Sequence, residues 1–409
     1  MNTSSIINYF ISDFDKYISK RRSIIQDSRY LDEEYVPNEI RFRDTQKEMI
    51  LYNIGEFINS NAGNNLFLYG STGAGKTLIA RFINKGINGL AIQRKLRLKV
   101  SYINCKLISS KDIDYYIFKR IYEDLTDINL KSGIRKQEIH ENIYRYLESS
   151  DKKLIIILDE ADFILNNNSS DLLYLLLRNY DINIYNRIKF VFVANSISFM
   201  NDVDQRVKSS LSSTLYIHFT PYNYYELKEI LKERAKNALY ENSISEENIN
   251  YIAAKIAKNS GDARVGINIL KMSAEIAASK NKERIDREDI DEAFENVELD
   301  IINSIIYSLN KNQRIILLSL LDRQISNKGE FVTFTELYEE YIKNIDKFGM
   351  KPLDKTTVYK NLKTIELVLG NLVETSVVSK GREGYKKIIK VIADEENLIK
   401  MDNKIRKEI

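Results

Sequence analysis

The stretch LFLYGSTGAGKT, residues 66–77, restricts the possible folds more than any other part of the chain. A short apolar run ends in glycine, a glycine-rich loop follows, and LIARFINKGI continues with the periodicity of a helix. The loop Gly70-Ser71-Thr72-Gly73-Ala74-Gly75-Lys76-Thr77 fits G-x-x-x-x-G-K-[ST] in the strand–loop–helix setting that this pattern requires. Glycines there allow backbone N–H groups to close around phosphates, and a helix N-terminus adds partial positive charge. Lys76 is expected to reach the β- and γ-phosphates, and the Thr77 hydroxyl to bind Mg²⁺. Leu78, the next residue, is expected to complete the loop's contact with the nucleotide.

A phosphate loop belongs to an α/β fold, and the rest of the first half fits one. Further strands are expected at Val100–Asn104, Leu154–Asp159, Lys189–Ala194 and Leu215–Phe219. Helical patterns at Asp112–Leu125, Lys136–Ser149 and Ser170–Tyr180 separate them. Strands alternating with helices indicate a parallel sheet covered on both faces. Strand signals stop after Pro221. Asn223 with Glu226 reads as a capping box opening a helix at Tyr224–Tyr240. Helices at Glu246–Asn259, Asp262–Ser279 and Arg287–Val297 follow, with helical character continuing to about Ser308. A third pattern begins at Lys311: helices at Asn312–Arg323, Thr335–Asn344 and Lys355–Leu369, then β-rich stretches at Leu372–Val378 and Tyr385–Ile392 around a glycine-tipped turn. That is the outline of a winged helix-turn-helix.

The run KLIIILDEADFIL, residues 153–165, carries the next chemical signal. Asp159 ends a strand apolar enough to be buried on both faces, where its carboxylate is placed to hold Mg²⁺. Glu160 then lies where a carboxylate can orient and activate a water attacking the γ-phosphate. The letters Asp159-Glu160-Ala161-Asp162 also spell the signature of a class of RNA helicases. A helicase of that class needs a second nucleotide-type α/β domain, and the residues after Pro221 are helical instead. Asn195 ends the next strand beside the acidic pair; a water-positioning amide and a turn-forming asparagine are both compatible with that place. Arg264 opens a helix of the second block and Arg206 lies in DVDQRVKSSL; a phosphate contact is open to each, but on residue type alone a solvated surface arginine is the more ordinary reading.

Bulk properties exclude other classes. The 409 residues suggest two or three domains. The net charge is only +3, so attraction to nucleic acid has to come from local patches. The single cysteine, Cys105, precludes an intramolecular disulfide or a multi-cysteine zinc site. No apolar run approaches the ~20 residues that span a bilayer, so no membrane association is expected, and the expected compartment is the cytoplasm. One patch does stand out. Between Lys351 and Lys390 nine basic side chains face four acidic ones, more than the whole chain's excess. They fall on the expected recognition helix and wing, where Lys355, Thr356, Thr357, Tyr359, Lys360, Lys363, Lys380, Gly381, Arg382 and Lys386 are the candidate duplex-DNA contacts.

In their order along the chain, STGAGKT, ILDEAD, VANS, DQRVKSSL, FTPYNYYEL, SGDAR and the glycine-tipped wing resemble the AAA+ ATPases. More narrowly, they are similar to archaeal replication initiators related to the large origin recognition complex subunit and the cell-division-cycle helicase loader. The resemblance implies a P-loop AAA+ parallel-sheet domain over residues 35–220, a helical lid over 221–300 and a C-terminal winged helix over 301–409, after an N-terminal extension of residues 1–34. It implies ATP or ADP with Mg²⁺ as ligands, Asn195 as sensor 1, Arg264 as sensor 2 and Arg206 as an arginine finger toward a neighbouring subunit. Val36, Pro37 and Arg43 match where the family packs adenine and ribose. An insertion of the ATPase domain, within residues 106–150, also touches DNA in the family, which brings in Lys131, Arg135 and Lys136. The implied function is weak ATP hydrolysis coupled to recognition of double-stranded origin DNA. The implied partners are the replicative minichromosome maintenance helicase and other initiator paralogues on the same origin, in a nucleoid-associated location. A regulator using nucleotide only as a structural ligand is the alternative. Ser196 stands where relatives often carry Asp, and Gln205 replaces a frequent proline; both mark a divergent member. A clamp-loader reading would require a Ser-Arg-Cys box, and Cys105 is far in sequence from Arg206.

Overall fold

The computed structural model describes residues 23–108, 112–131, 133–166, 170–177, 186–195, 208, 213–379, 385–393 and 395–409. The chain divides into two compact units, Met1–Asp291 and Glu292–Ile409.

In the first unit, α1 (Asp44–Ser60) precedes β1 (Leu66–Gly70), and α2 (Lys76–Gln93) follows the phosphate loop. Then come β2 (Leu98–Asn104), α3 (Ile113–Thr126), α4 (Lys136–Ser149) and β3 (Lys153–Asp159). The short α5 (Asp162–Asn166), α6 (Ser170–Leu177), β4 (Ile188–Ala194) and β5 (Leu215–Phe219) complete the α/β part. The strands form one parallel sheet in the order β2-β3-β4-β1-β5. Six consecutive buried positions in β3 follow from helices lying on both faces. Alternation divides them: Leu154, Ile156 and Leu158 pack with Ile117, Ile121 and Ile143 of α3 and α4, whereas Ile155 and Ile157 pack with Ile54, Phe57, Ile79 and Ile83 of α1 and α2. Because all strands run the same way, Gly70, Asn104, Asp159, Ala194 and Phe219 end at one edge of the sheet.

The lid comprises α7 (Tyr224–Ala238), α8 (Glu246–Asn259), α9 (Ala263–Ser279) and the start of α10 (Arg287–Ser308). The capping box opening α7 is present: the Glu226 N–H donates to Asn223 Oδ1 at 3.1 Å, and the Asn223 N–H donates back to Glu226 Oε2 at 2.8 Å. Asp262 caps α9, accepting from the Arg264 N–H at 2.8 Å and the Val265 N–H at 3.4 Å.

In the second unit α11 (Lys311–Ser326), β6 (Val332–Thr333), α12 (Phe334–Lys347), α13 (Lys355–Leu369), β7 (Val373–Ser379), β8 (Tyr385–Val391) and α14 (Glu395–Glu408) share one core. The strands form an antiparallel sheet in the order β6-β8-β7. The buried Gln324 amide of α11 substitutes for a strand neighbour of β8, donating to the Val391 carbonyl and accepting from its N–H, both at 2.8 Å. This is a winged helix with an added C-terminal helix.

The expected strands of the sheet lie within two residues of the observed ones. Three helices, α1, the short α5 and α14, had no counterpart in the sequence reading. The helix expected over Ser170–Tyr180 is described only to Leu177; its last residues lie outside the described ones.

Candidate active site

Two glycines of the phosphate loop lie close against neighbouring segments. Gly73 has φ +71°, and a Cβ there would lie 1.8 Å from Asp262 Oδ1 of the lid. At Gly70 (φ +147°) a Cβ would lie 2.0 Å from the Phe219 carbonyl. Only glycine fits either place. From the loop, α2 begins at Lys76, so its first N–H groups face the space above the sheet edge. Lys76 Nζ donates to the Gly70 and Ser71 carbonyls at 2.8 Å each and to Asn195 Oδ1 at 3.1 Å. Burial pulls this ammonium below its ordinary value, an effect opposed by the nearby Glu160 carboxylate.

Asp159 is fully buried. Its Oδ1 accepts from the Thr77 hydroxyl at 3.1 Å and from the Glu160 N–H at 3.1 Å, and its Oδ2 accepts from the Tyr102 hydroxyl at 2.6 Å. Burial, together with the Asp159 charge, pushes the Tyr102 phenol well above its ordinary value, which keeps it a donor. Glu160 turns away from the strand with φ +54°. Asn195 Nδ2 donates to Glu160 Oε2 at 3.1 Å and to Asp162 Oδ2 at 3.4 Å. Thr77 Oγ1 and Asp159 Oδ1 are hard oxygen donors, the set that suits Mg²⁺. Among the described residues no cluster of three or more His, Cys, Asp or Glu side chains is arranged to hold a metal.

One cavity of this unit brings Gly73, Gly75, Lys76, Thr77, Leu78, Glu160 and Asn195 together with Arg264 of the lid. Arg264 Nη2 lies 3.5 Å from Asp262 Oδ2. Pro37 lines the same cavity, as do Tyr35, Ile40, Tyr222, Ile230 and Ile267. These apolar and aromatic groups suit a planar base. Ser71, Thr72 and Ala74 belong to the loop but not to the cavity wall, and neither Val36 nor Arg43 lines the cavity. Arg43 is buried behind the loop instead. Its guanidinium donates to the carbonyls of Ala74 (2.9 Å), Phe42 (2.8 Å) and Thr220 (2.7 Å) and lies 3.8 Å from the centre of the Tyr222 ring. Arg206, Ser196 and Gln205 lie outside the described residues.

In the second unit, α13 exposes Lys355, Thr356, Lys360, Lys363, Thr364 and Leu367 on one side. Thr356, Lys360, Lys363 and Leu367 recur at helical spacing and form a continuous stripe. Two other candidates are engaged within the fold. The Thr357 hydroxyl donates to Asp354 Oδ2 at 2.6 Å, closing the helix N-terminus. Tyr359 meets Phe334 edge-on at 5.4 Å, with the ammonium groups of Lys363 and Lys387 at 5.4 Å and 5.3 Å from its ring centre. Lys387 also donates to Glu366 at 2.8 Å, tying β8 to α13. Lys380, Gly381 and Arg382 lie outside the described residues; Lys386 pairs with Val378 in the hairpin. In the first unit Lys131 and Arg135 are exposed between α3 and α4, and Lys136 donates to Asp114 at 3.2 Å.

Residues 60–199 match the AAA domain family, residues 228–295 the Cdc6 AAA+ ATPase-type lid domain, and residues 304–401 the CDC6 C-terminal winged helix domain. The ORC1-type DNA replication protein 1 of Sulfolobus acidocaldarius is 30% identical over 384 residues, covering 93% of this chain and 93% of its own. The chain belongs to the ORC1-type DNA replication proteins. Its namesake in Sulfurisphaera tokodaii is 29% identical over 404 residues, 97% of this chain and 96% of its own. In fold, this ORC1-type chain is similar to the Aeropyrum pernix ORC1 protein solved in complex with DNA, with a TM-score of 0.74, 24% identity, and coverage of 95% of this chain and 100% of the other.

The sequence reading passed over several residues that shape this ORC1-type site. Tyr102 sits in an apolar strand and gives no sign of reaching Asp159. Asp262 is legible as a cap, but not as the group against Gly73. Arg234, whose guanidinium lies 4.6 Å from the Tyr35 ring centre and donates to the Tyr30 carbonyl at 3.1 Å, looks like an ordinary helix surface residue in sequence.

Proposed function

We propose that this ORC1-type protein is an ATP-dependent replication initiator that binds duplex DNA at an origin through its winged helix and its ATPase unit. It hydrolyses ATP slowly and helps recruit the replicative minichromosome maintenance helicase, together with initiator paralogues on the same origin and in association with the nucleoid. Residues 35–220 act as the nucleotide-binding domain, 221–300 as the lid and 301–409 as the DNA-binding domain, with residues 1–34 an extension.

One observation carries this reading. The same chain holds a phosphate-loop site with a lid arginine at its rim and, on α13, an exposed stripe with two lysines. The loop N–H groups, Lys76 and the start of α2 bind the phosphates, with Gly70 to Leu78 forming the cradle. Thr77 and Asp159 hold Mg²⁺, which when bound neutralises charge on the β- and γ-phosphates. Glu160 orients the attacking water and accepts its proton, Asn195 fixes that carboxylate, and Arg264 reaches the γ-phosphate from the lid. Arg206 serves a neighbouring subunit. Val36, Pro37 and Arg43 support the base end, Arg43 from behind the loop. Lys355, Thr356, Lys360, Lys363, Lys380, Gly381, Arg382 and Lys386 contact DNA, with Thr357 and Tyr359 shaping that surface and Lys131 and Arg135 adding contacts from the ATPase unit. Lysines at such places mostly meet phosphates, so DNA shape contributes much of the sequence preference.

Footprinting on the host's origin regions, with and without ATP, tests the proposal. A bounded, sequence-specific protection weakened by Lys360→Ala with Arg382→Ala supports it; equal affinity for unrelated duplexes rejects it. Under the alternative, a regulator with nucleotide as a structural ligand, Glu160→Gln leaves both turnover and DNA binding as they were.

A further inference from the structure

Tyr102 pairs with Ile157 in the β2–β3 register, and strand alternation puts its ring on the same sheet face as the Asp159 side chain. Its hydroxyl donates to Asp159 Oδ2 at 2.6 Å, while Asp159 Oδ1 accepts from Thr77 at 3.1 Å. A carboxylate held at one oxygen can rotate about its Cβ–Cγ bond; here the phenol holds the second oxygen and so fixes the plane in which the first faces Thr77. The phenol is itself braced. Arg81 Nε, on the helix that begins at the phosphate loop, donates to the Tyr102 oxygen at 3.4 Å, and Arg81 Nη2 donates to Glu34 Oε1 at 3.0 Å. Glu34 and Arg81 both line the cavity, so Glu34, Arg81, Tyr102 and Asp159 form one contact chain from the cavity wall to the metal-side carboxylate.

We infer that Tyr102 is a positioning residue for the metal site, holding Asp159 Oδ2 so that Oδ1 stays beside Thr77, with Arg81 and Glu34 steadying the phenol. The inference rests on the reading of Thr77 and Asp159 as the Mg²⁺ pair. A tyrosine that only filled space would tolerate loss of its hydroxyl. A positioning tyrosine would not, because the buried Asp159 oxygen would lose its partner and the carboxylate would turn to find another.

The test uses the full chain and N-methylanthraniloyl-ATP, whose fluorescence is followed as Mg²⁺ is added. In Tyr102→Phe the Mg²⁺ concentration at half-effect is expected to rise at least fivefold, while affinity for the analogue in EDTA stays within twofold of the parent. A half-effect concentration within twofold of the parent, in a preparation where Asp159→Asn does shift it, overturns the inference. If Asp159→Asn leaves it unmoved as well, the metal-pair reading falls and takes this inference with it. Should Tyr102→Phe melt well below the parent, Arg81→Met takes its place. A shift in the same direction then supports the role of the phenol, and no shift overturns it.

Discussion

Asn195 donates through Nδ2 to Glu160 Oε2 at 3.1 Å, while its Oδ1 accepts from Lys76 Nζ at 3.1 Å. One amide thus orients both the acid proposed to activate water and the lysine proposed to hold the phosphates. Replacing Glu160 by Gln keeps the shape and removes the base. Hydrolysis should fall by roughly 10²–10⁴-fold with nucleotide affinity changed by less than about threefold. Asn195→Ala should disturb both quantities, because it releases Lys76 as well. Phosphate release and equilibrium nucleotide binding, measured on the same preparations, separate the two patterns; a Glu160→Gln protein with parental turnover would remove Glu160 from the chemistry.

Gly73→Ala should weaken nucleotide binding by about tenfold or more, since the new methyl group meets the Asp262 carboxylate and the backbone has φ +71°. The double change Gly73→Ala with Asp262→Ala should recover part of the loss, because one of the two obstacles is gone. Calorimetric titration with ADP measures both. Parental affinity in Gly73→Ala would mean that the lid readily moves off the loop.

On α13, Lys360→Ala and Lys363→Ala should each weaken binding to every duplex by a similar factor and reduce the slope of log affinity against log salt by about one. Asp354→Ala acts on the fold: it removes the helix cap and should lower the stability of the winged helix by ~1 kcal/mol. Fluorescence anisotropy across a salt series, paired with thermal melts, distinguishes the two. A lysine variant with an unchanged salt slope has no phosphate partner.

Lys189 is 1% exposed, and its Nζ donates to the Asn64 carbonyl at 2.6 Å. Burial pulls its pKa from the ordinary 10.5 down to about 8. Below pH 8 the group is charged in both states and the folded protein bears the full burial cost, on the order of 3 kcal/mol at 1.36 kcal/mol per pH unit. From pH 8 to 10.5 the unfolded chain holds the proton and the folded one does not, so stability contributed at this position rises with pH. Lys189→Met should therefore be the more stable protein at pH 7, by ~1–3 kcal/mol after the lost hydrogen bond is counted. That advantage should shrink toward pH 10. Melting curves of both proteins at pH 7, 8.5 and 10 check this; an equal gap at all three values contradicts the assignment.

The strands of the sheet and the order of the site motifs were legible because both-face burial leaves an uninterrupted apolar run and the phosphate loop has few alternatives. Other features depend on contacts between distant segments. Arg43, matched by resemblance to the base-binding segment, directs its guanidinium to the Ala74 and Thr220 carbonyls, partners that no spacing rule relates to it. Helix α1 does carry the spacing Ile50, Ile54, Phe57, which was there to be read. In α14 only Leu398, Met401 and Ile405 are apolar contacts in a highly charged segment, so its docking on α11 was obscured. Thr357 and Tyr359 looked like groove-facing residues because helix numbering cannot show that one closes a cap and the other rests on Phe334.

The guanidinium of Arg43 also bears on how the chain can vary. It joins the carbonyl of Ala74 in the loop to that of Thr220, at the passage from β5 toward the lid, with its central carbon 3.8 Å from the centre of the Tyr222 ring. A lysine would keep the charge but lose the planar fork and the stacking face. Exchange at position 43 should therefore be among the least tolerated in this segment, even though the side chain does not line the cavity. Drift at Tyr222 should be confined to residues that still offer Arg43 a flat ring.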